Sequence, residues 1–225
     1  MSLRLQHGSL IVSCQARAEN PLHGPQFMGA MALAARDGGA SAIRANGPED
    51  VRAVKAAGLP VIGIHKVFSP DVPVYITPTI AAARALAAAG ADIIALDCTP
   101  RPRHGDEPAA IIAHIRDRLG LESFADVSTL EEGIAAAAMG ATYVSTTLSG
   151  YTEYTQPKPD LPDFELIRAL AAAVKTPIIA EGRFNTPELA QAAIAAGAYA
   201  VVVGTMITNP REITRGFARA VAEAH

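Results

Sequence analysis

Two residues that could move a proton each follow a short apolar run. Lys66 comes after Val61-Ile62-Gly63-Ile64-His65, and Glu181 comes after Pro177-Ile178-Ile179-Ala180. A lysine at the end of a buried strand, near a second cation such as Arg44, has its charged form disfavoured by desolvation and by like charge. The neutral amine so released is a base able to take a proton next to a carbonyl. Glu181 could orient that amine or pass a proton to a substrate oxygen. The same two side chains could instead form an ion pair that only braces the fold. Gly182-Arg183 and Gly204-Thr205 also follow apolar runs. They offer backbone N–H groups that only glycine lets an oxyanion approach closely, with a guanidinium fork beside them.

Chemistry of this kind needs elements that bring residues far apart in sequence to one place. The stretch from Thr176 to Pro210 reads as strand, polar elbow, helix, strand and Gly-containing elbow. Thr186-Pro187-Glu188 starts its helix with a capping hydroxyl and a proline at the first helical position. Further such units precede it. Strands are expected at Leu10–Cys14, Ala40–Ile43, Val61–Ile64, Ala91–Leu96, Ser123–Ala125 (a weak one), Thr142–Thr147, Pro177–Ala180 and Tyr199–Val203. Helices fall between them, and Arg211 to Glu223 is the last. The pairs Gly39-Ala40, Gly90-Ala91, Gly140-Ala141 and Gly197-Ala198 each close a helix and open a strand, recurring about every 50 residues, or two units at a time. The strands are continuous apolar runs, as expected when both faces of a parallel sheet are buried. Eight units across residues 1–225 predict an α/β fold, a single-domain (β/α)₈ barrel with a phosphate site at the loops after strands seven and eight. A doubly wound open sheet is disfavoured because no G-x-G-x-x-G follows the first strand.

In a barrel the C-terminal strand ends converge on one concave face. Those ends are Gln15, Arg44, Lys66, Asp97, Asp126, Thr147, Glu181 and Thr205. His65 should point away from the lumen because it adjoins Lys66. His104, near Asp106 and Glu107, lacks a ligand-spaced partner for a metal. Arg101 and Arg103 read as a solvated loop, and Tyr151 and Tyr154 as a lid or as packing for the long loop from Leu148 to Pro162.

Composition narrows the function class. The chain has 225 residues, half of them apolar, with a formal charge of -3. That charge gives no electrostatic case for nucleic acid or an anionic membrane. No run approaches the roughly 20 apolar residues of a membrane span, which favours a cytoplasmic protein. Cys14 and Cys98 are expected to be reduced and buried.

The segments LIVSCQ, AIRAN, PVIGIHK, GADIIALDCT, ADVST, TTLSGYT, IIAEGRFNTPELA and VVVGTMITNPREIT together resemble the N-acetylmannosamine-6-phosphate 2-epimerases of bacterial sialic-acid catabolism. The resemblance spans nearly the whole chain from Leu10. It implies interconversion of N-acetylmannosamine 6-phosphate and N-acetylglucosamine 6-phosphate without a metal or organic cofactor. It also implies a catalytic pair at Lys66 and Glu181, and sugar contacts from Gln15, Arg44 and Asp126. The implied phosphate loop is Gly182, Arg183, Gly204 and Thr205. The chain departs from the family at Asn209, where an arginine is usual, and at His104, which follows Arg101-Pro102-Arg103. The alternatives are another phosphate-binding barrel enzyme, such as a sugar-phosphate decarboxylase or a thiamine-phosphate-type transferase, or a barrel that only senses a phosphorylated metabolite. A homodimer is possible, since Ala-rich barrel helices often carry a dimer face.

Overall fold

The computed structural model describes residues 3–157 and 159–223, so Lys158 of the long loop lies outside the description. Eight parallel strands close into a barrel in chain order, with β8 returning to pair with β1. They are β1 Ser9–Cys14, β2 Ala42–Asn46, β3 Val61–Ile64, β4 Ile93–Asp97, β5 Glu122–Asp126, β6 Tyr143–Ser145, β7 Ile178–Glu181 and β8 Ala200–Val203. The helices are α1 Pro25–Asp37, α2 Gly47–Val54, α3 Ile80–Ala88, α4 Pro108–His114, α5 Leu130–Ala138, α6 Phe164–Ala173, α7 Pro187–Ala195, the short α8 Thr205–Thr208 and α9 Pro210–Ala222. The expected (β/α)₈ barrel is therefore the fold.

The Gly-Ala repeat has a common backbone cause. At all four sites the glycine takes positive φ, from 87° at Gly140 to 105° at Gly197. The alanine N–H then reaches back five residues, as from Ala40 to Ala35 O at 2.9 Å and from Ala198 to Ala193 O at 3.0 Å. The glycine N–H reaches back three. This double bond pattern is the Schellman helix stop, which satisfies the last helical carbonyls. It also moves two strand boundaries: Ala40 and Ala91 belong to helix stops, so β2 and β4 begin two residues later than the apolar runs suggested. The strand expected to be weak, β5, is a full five-residue strand paired along its length with β4. Its polar Glu122, Ser123 and Asp126 disguised it, and all three are buried with hydrogen-bond partners. At α5 Thr129 and Glu132 form a complete capping box. Cys14 and Cys98 are buried free thiols.

Side-chain alternation along each strand separates two cores. Ile11, Ile62, Ile93, Phe124, Tyr143 and Ile179 fill the lumen. Their neighbours Val12, Val61, Ile94, Ala125, Val144 and Ile178 pack outward against the helices. Continuing the inward parity to the C-terminal ends places Ser13, Arg44, Asp97, Asp126, Ser145 and Glu181 on the lumen side. The opposite end is plugged. Leu5 is buried in the lumen cluster, its N–H donates to Tyr143 Oη at 3.2 Å, and its carbonyl accepts from Tyr199 Oη at 3.1 Å.

Leu5→Ala should lose about 2–5 kcal/mol of stability, the cost of a buried leucine cavity that backbone hydrogen bonds keep from collapsing. Urea denaturation would measure it, and an unchanged midpoint would mean that the plug does not support the barrel.

Candidate active site

At the C-terminal mouth lies a cavity of about 660 Å³, within the usual size range for small-molecule sites. Lys66, Glu181, Arg44, Gln15, Gly182, Arg183, Gly204 and Thr205 all line it. Of the nine residues expected to act on the substrate, eight therefore meet here. Asp126 is fully buried behind Arg44 and does not reach the cavity wall. As placed, its two carboxylate oxygens hold the Arg44 guanidinium.

That guanidinium is the centre of the site. Arg44 is 1% exposed. Its Nη1 and Nη2 donate to Asp126 Oδ1 and Oδ2 at 3.0 and 2.6 Å, and Nη1 also donates to Glu181 Oε2 at 2.7 Å. Its carbon Cζ sits 5.0 Å from the centre of the Phe124 ring, a cation–π contact from below. Burial works against the charge, but Asp126 and Glu181 outweigh it and raise the Arg44 pKa. The site therefore keeps a permanent positive charge.

Lys66 stands on the first turn beyond β3. Its N–H donates to Asn46 Oδ1 at 3.0 Å, and it forms an antiparallel bridge with Ile76 as the following loop doubles back. Burial, then repulsion from Arg44, lowers the Lys66 pKa to about 8, with a smaller push from Arg17. Burial raises Glu181 above the ordinary carboxylate range, although Arg44 pulls the other way. No ion pair joins Lys66 to Glu181 among the described residues; Glu181 pairs with Arg44 instead. The Lys66–Glu181 brace is therefore not formed, and an amine with a lowered pKa shares one cavity with a carboxyl whose pKa is raised.

Gln15 donates from Nε2 to Ser13 Oγ at 2.8 Å, which aims its amide at the cavity. Gly182 and Arg183 both have positive φ, 111° and 65°, so the chain turns sharply after β7. Arg183 already donates to Leu161 O at 2.7 Å and Ser149 O at 2.6 Å, tying the long loop to β7 while lining the cavity. Beyond β8, Gly204 precedes the short α8, and Asn209 caps α9 by accepting from Glu212 N at 3.4 Å.

Other expectations need correcting. Asp97 turns away into its own loop, where Thr99 Oγ1 donates to it at 2.6 Å and Arg101 Nη2 at 2.6 Å. Arg101 and Arg103 are consequently held against Asp97 and are not a solvated loop. Tyr154 donates to Glu132, and Tyr151 lines the cavity. His65 stays out of the cavity lining, as alternation required, and no cluster of His, Cys, Asp or Glu suited to a metal occurs among the described residues. Arg17 and Tyr75 also line the cavity without having been expected from sequence, and Thr147 was named only as a strand end. Inward parity from Ser13 and Gln15 would have found Arg17. Nothing in the spacing points to Tyr75, which arrives on the returning loop.

A family model described as "Putative N-acetylmannosamine-6-phosphate epimerase" matches residues 28–223. This chain belongs to that epimerase family. A relative from Shouchella clausii, named "Putative N-acetylmannosamine-6-phosphate 2-epimerase", is 47% identical over 97% of this chain and 98% of its own length. One of the same name from Caldanaerobacter subterraneus is 49% identical over 98% of this chain and 93% of its own. The solved N-acetylmannosamine-6-phosphate 2-epimerase of Clostridium perfringens superposes with a TM-score of 0.92 at 46% identity, covering 95% of this chain and 93% of that one. A thiamine phosphate pyrophosphorylase from Pyrococcus furiosus shares the fold alone, with a TM-score of 0.62 at 17% identity.

Within this epimerase fold Asp126→Ala should cost about 3–5 kcal/mol, because it leaves a buried guanidinium short of its main counter-charge. Gln15→Ala, at the cavity edge, should change stability by no more than about 0.5 kcal/mol. Paired urea titrations would show it, and equal midpoints would contradict the role given to Asp126.

Proposed function

We propose that this epimerase interconverts N-acetylmannosamine 6-phosphate and N-acetylglucosamine 6-phosphate by removing and returning the C2 proton of the open-chain sugar. In that form C2 lies next to the C1 aldehyde. Taking its proton sends the electron pair into the carbonyl and leaves negative charge on oxygen. Lys66 is the base, and its nearness to Arg44 is the observation that carries the reading. Burial and then the guanidinium lower the pKa of the amine, and the guanidinium stands where an oxyanion can be stabilised. Returning the proton to the opposite face inverts C2. Glu181 assists by moving a proton at a substrate oxygen, for which its raised pKa suits it. Gln15 and Arg44 contact the sugar, and the loop amides of Gly182, Arg183, Gly204 and Thr205 hold the phosphate. The whole chain acts as one domain, in the cytoplasm, within sialic-acid breakdown.

The expected partner is a second copy of the chain. None of the residues of α9 is buried, and Phe217 and Val221 are 70% and 66% exposed. Ile213, Phe217 and Val221 recur every four residues and form one apolar stripe. Beside β8 the barrel leaves an apolar groove of about 430 Å³, lined by Leu10, Ile194, Val201, Val203, Met206 and Ile207 among others. A helix with an unmet apolar face and a groove with no helix in it are complementary surfaces of one chain. Two copies exchanging α9 would satisfy both.

Proton NMR in heavy water tests the chemistry: the parent should convert the manno to the gluco isomer with deuterium entering C2. Lys66→Ala should lose about 10²–10⁴-fold or more in both processes while still binding the sugar phosphate. Exchange at the parent rate would remove Lys66 from the mechanism. Since only the neutral amine is a base, kcat/KM should fall about tenfold per pH unit as pH drops below about 8, the pKa of Lys66. For the assembly, light scattering should give a dimer for the parent and a monomer for Phe217→Glu. A parent that stays monomeric at micromolar concentration would sink the exchange of α9.

A further inference from the structure

One hydroxyl among these charged groups has no part in the reaction as described. Thr147 lies two residues past Ser145, the end of β6, so inward parity carries its side chain into the mouth. Its Oγ1 is 2.6 Å from Asp126 Oδ1 and 3.0 Å from Glu181 Oε2. Ser145 Oγ approaches the same oxygen at 2.9 Å. Arg44 Nη1 donates to those same two carboxylate oxygens. The pair Asp126 Oδ1 and Glu181 Oε2 is therefore bridged twice. Nη1 carries two hydrogens, enough for both oxygens, whereas the hydroxyl carries one.

That shortage has a consequence. With Glu181 ionised, Thr147 can donate to only one of the two carboxylates. With Glu181 protonated on Oε2, the new proton points at Thr147 Oγ1, which accepts it on one lone pair and the Ser145 hydroxyl on the other. Thr147 then gives its own hydrogen to Asp126, so the one hydrogen and both lone pairs of its hydroxyl are used. The two protonation states of Glu181 thus correspond to two hydrogen-bond directions of one side chain. Being β-branched, threonine holds this geometry with little rotamer freedom.

We propose that Thr147 is a positioning residue which fixes the Glu181 carboxyl against Arg44 and determines when it holds a proton, reversing its hydrogen bond as that proton comes and goes. The proposal rests on the reading that Glu181 moves a proton during epimerisation. The charged groups that act on Glu181 are Arg44 from β2, Asp126 from β5 and Lys66 past β3, and Arg17, Tyr75, Tyr151, Asp160 and Arg183 line the same cavity. The Thr147 hydrogen bond works with Arg44 to hold the Glu181 pKa down, against burial and Asp126.

Thr147→Val keeps the shape and removes the hydroxyl; Thr147→Ser keeps the hydroxyl. Carboxyl ¹³C NMR should show Glu181 titrating about one pH unit or more higher in the valine variant and unmoved in the serine variant. At fixed pH kcat should fall about ten- to hundredfold for valine, with KM little changed, and by less than about threefold for serine. Thr147→Cys, similar in volume and a weak hydrogen-bonder, should fall between them, and it carries the test if the valine variant does not fold. A Glu181 midpoint that stays put in the valine or cysteine variant, or moves equally in the serine variant, would overturn the proposal. If the parent fails to epimerise the sugar phosphate, the catalytic reading falls, and the NMR titration still decides the role of Thr147.

Discussion

A guanidinium sealed inside a ring of strands is the constraint from which the rest of the mouth follows. Arg44 is too buried to be solvated, so the fold must supply its counter-charges, and it does so from β5 and β7. A buried charge is tolerable only when paired and hydrogen-bonded. The Asp126 fork meets that demand with nearly ideal geometry for a planar donor. Once fixed, the cation repels the Lys66 ammonium and attracts the Glu181 carboxylate, so one buried group biases both residues that face the ligand. Asp126 holds that charge in place.

The barrel could be read from the chain because its signals are local. The number and order of strands, the two-sided apolar runs and the Gly-Ala helix stops all follow from backbone conformation and burial, which nearest neighbours dictate, although strand ends shift, as at β6, three residues long where six were expected. Convergence of Lys66, Glu181, Arg44 and the two glycine elbows was also accessible, since strand ends in a closed ring can only meet at one mouth. Side-chain direction past a strand end was not. Asp97 ends β4 as Asp126 ends β5, yet Asp97 turns into its own loop to hold Arg101 while Asp126 holds Arg44. Spacing cannot separate those outcomes, because the choice lies with which cation comes within reach. The stance of α9 was hidden for a similar reason. Its apolar stripe has the same pattern whether it covers its own barrel or another.

The likeness to a thiamine phosphate enzyme at 17% identity shows how little of this architecture is tied to one chemistry. The hydrophobic layers, outward packing and helix stops serve any such barrel. What distinguishes the present mouth is a handful of polar side chains at inward positions beyond the last apolar layer. Several of them, including Thr147 and Ser13, act on other side chains within the mouth.

The Leu5 plug, tied by two tyrosines, has a kinetic meaning as well as a structural one. With the lumen already filled by side chains, it completes a cup with a single rim, so whatever enters must leave by the same doorway. Two sugars that differ only at one carbon then compete for one berth, and neither can be drained from below while the other waits above. Net flux through such a cup is governed by the concentrations outside it.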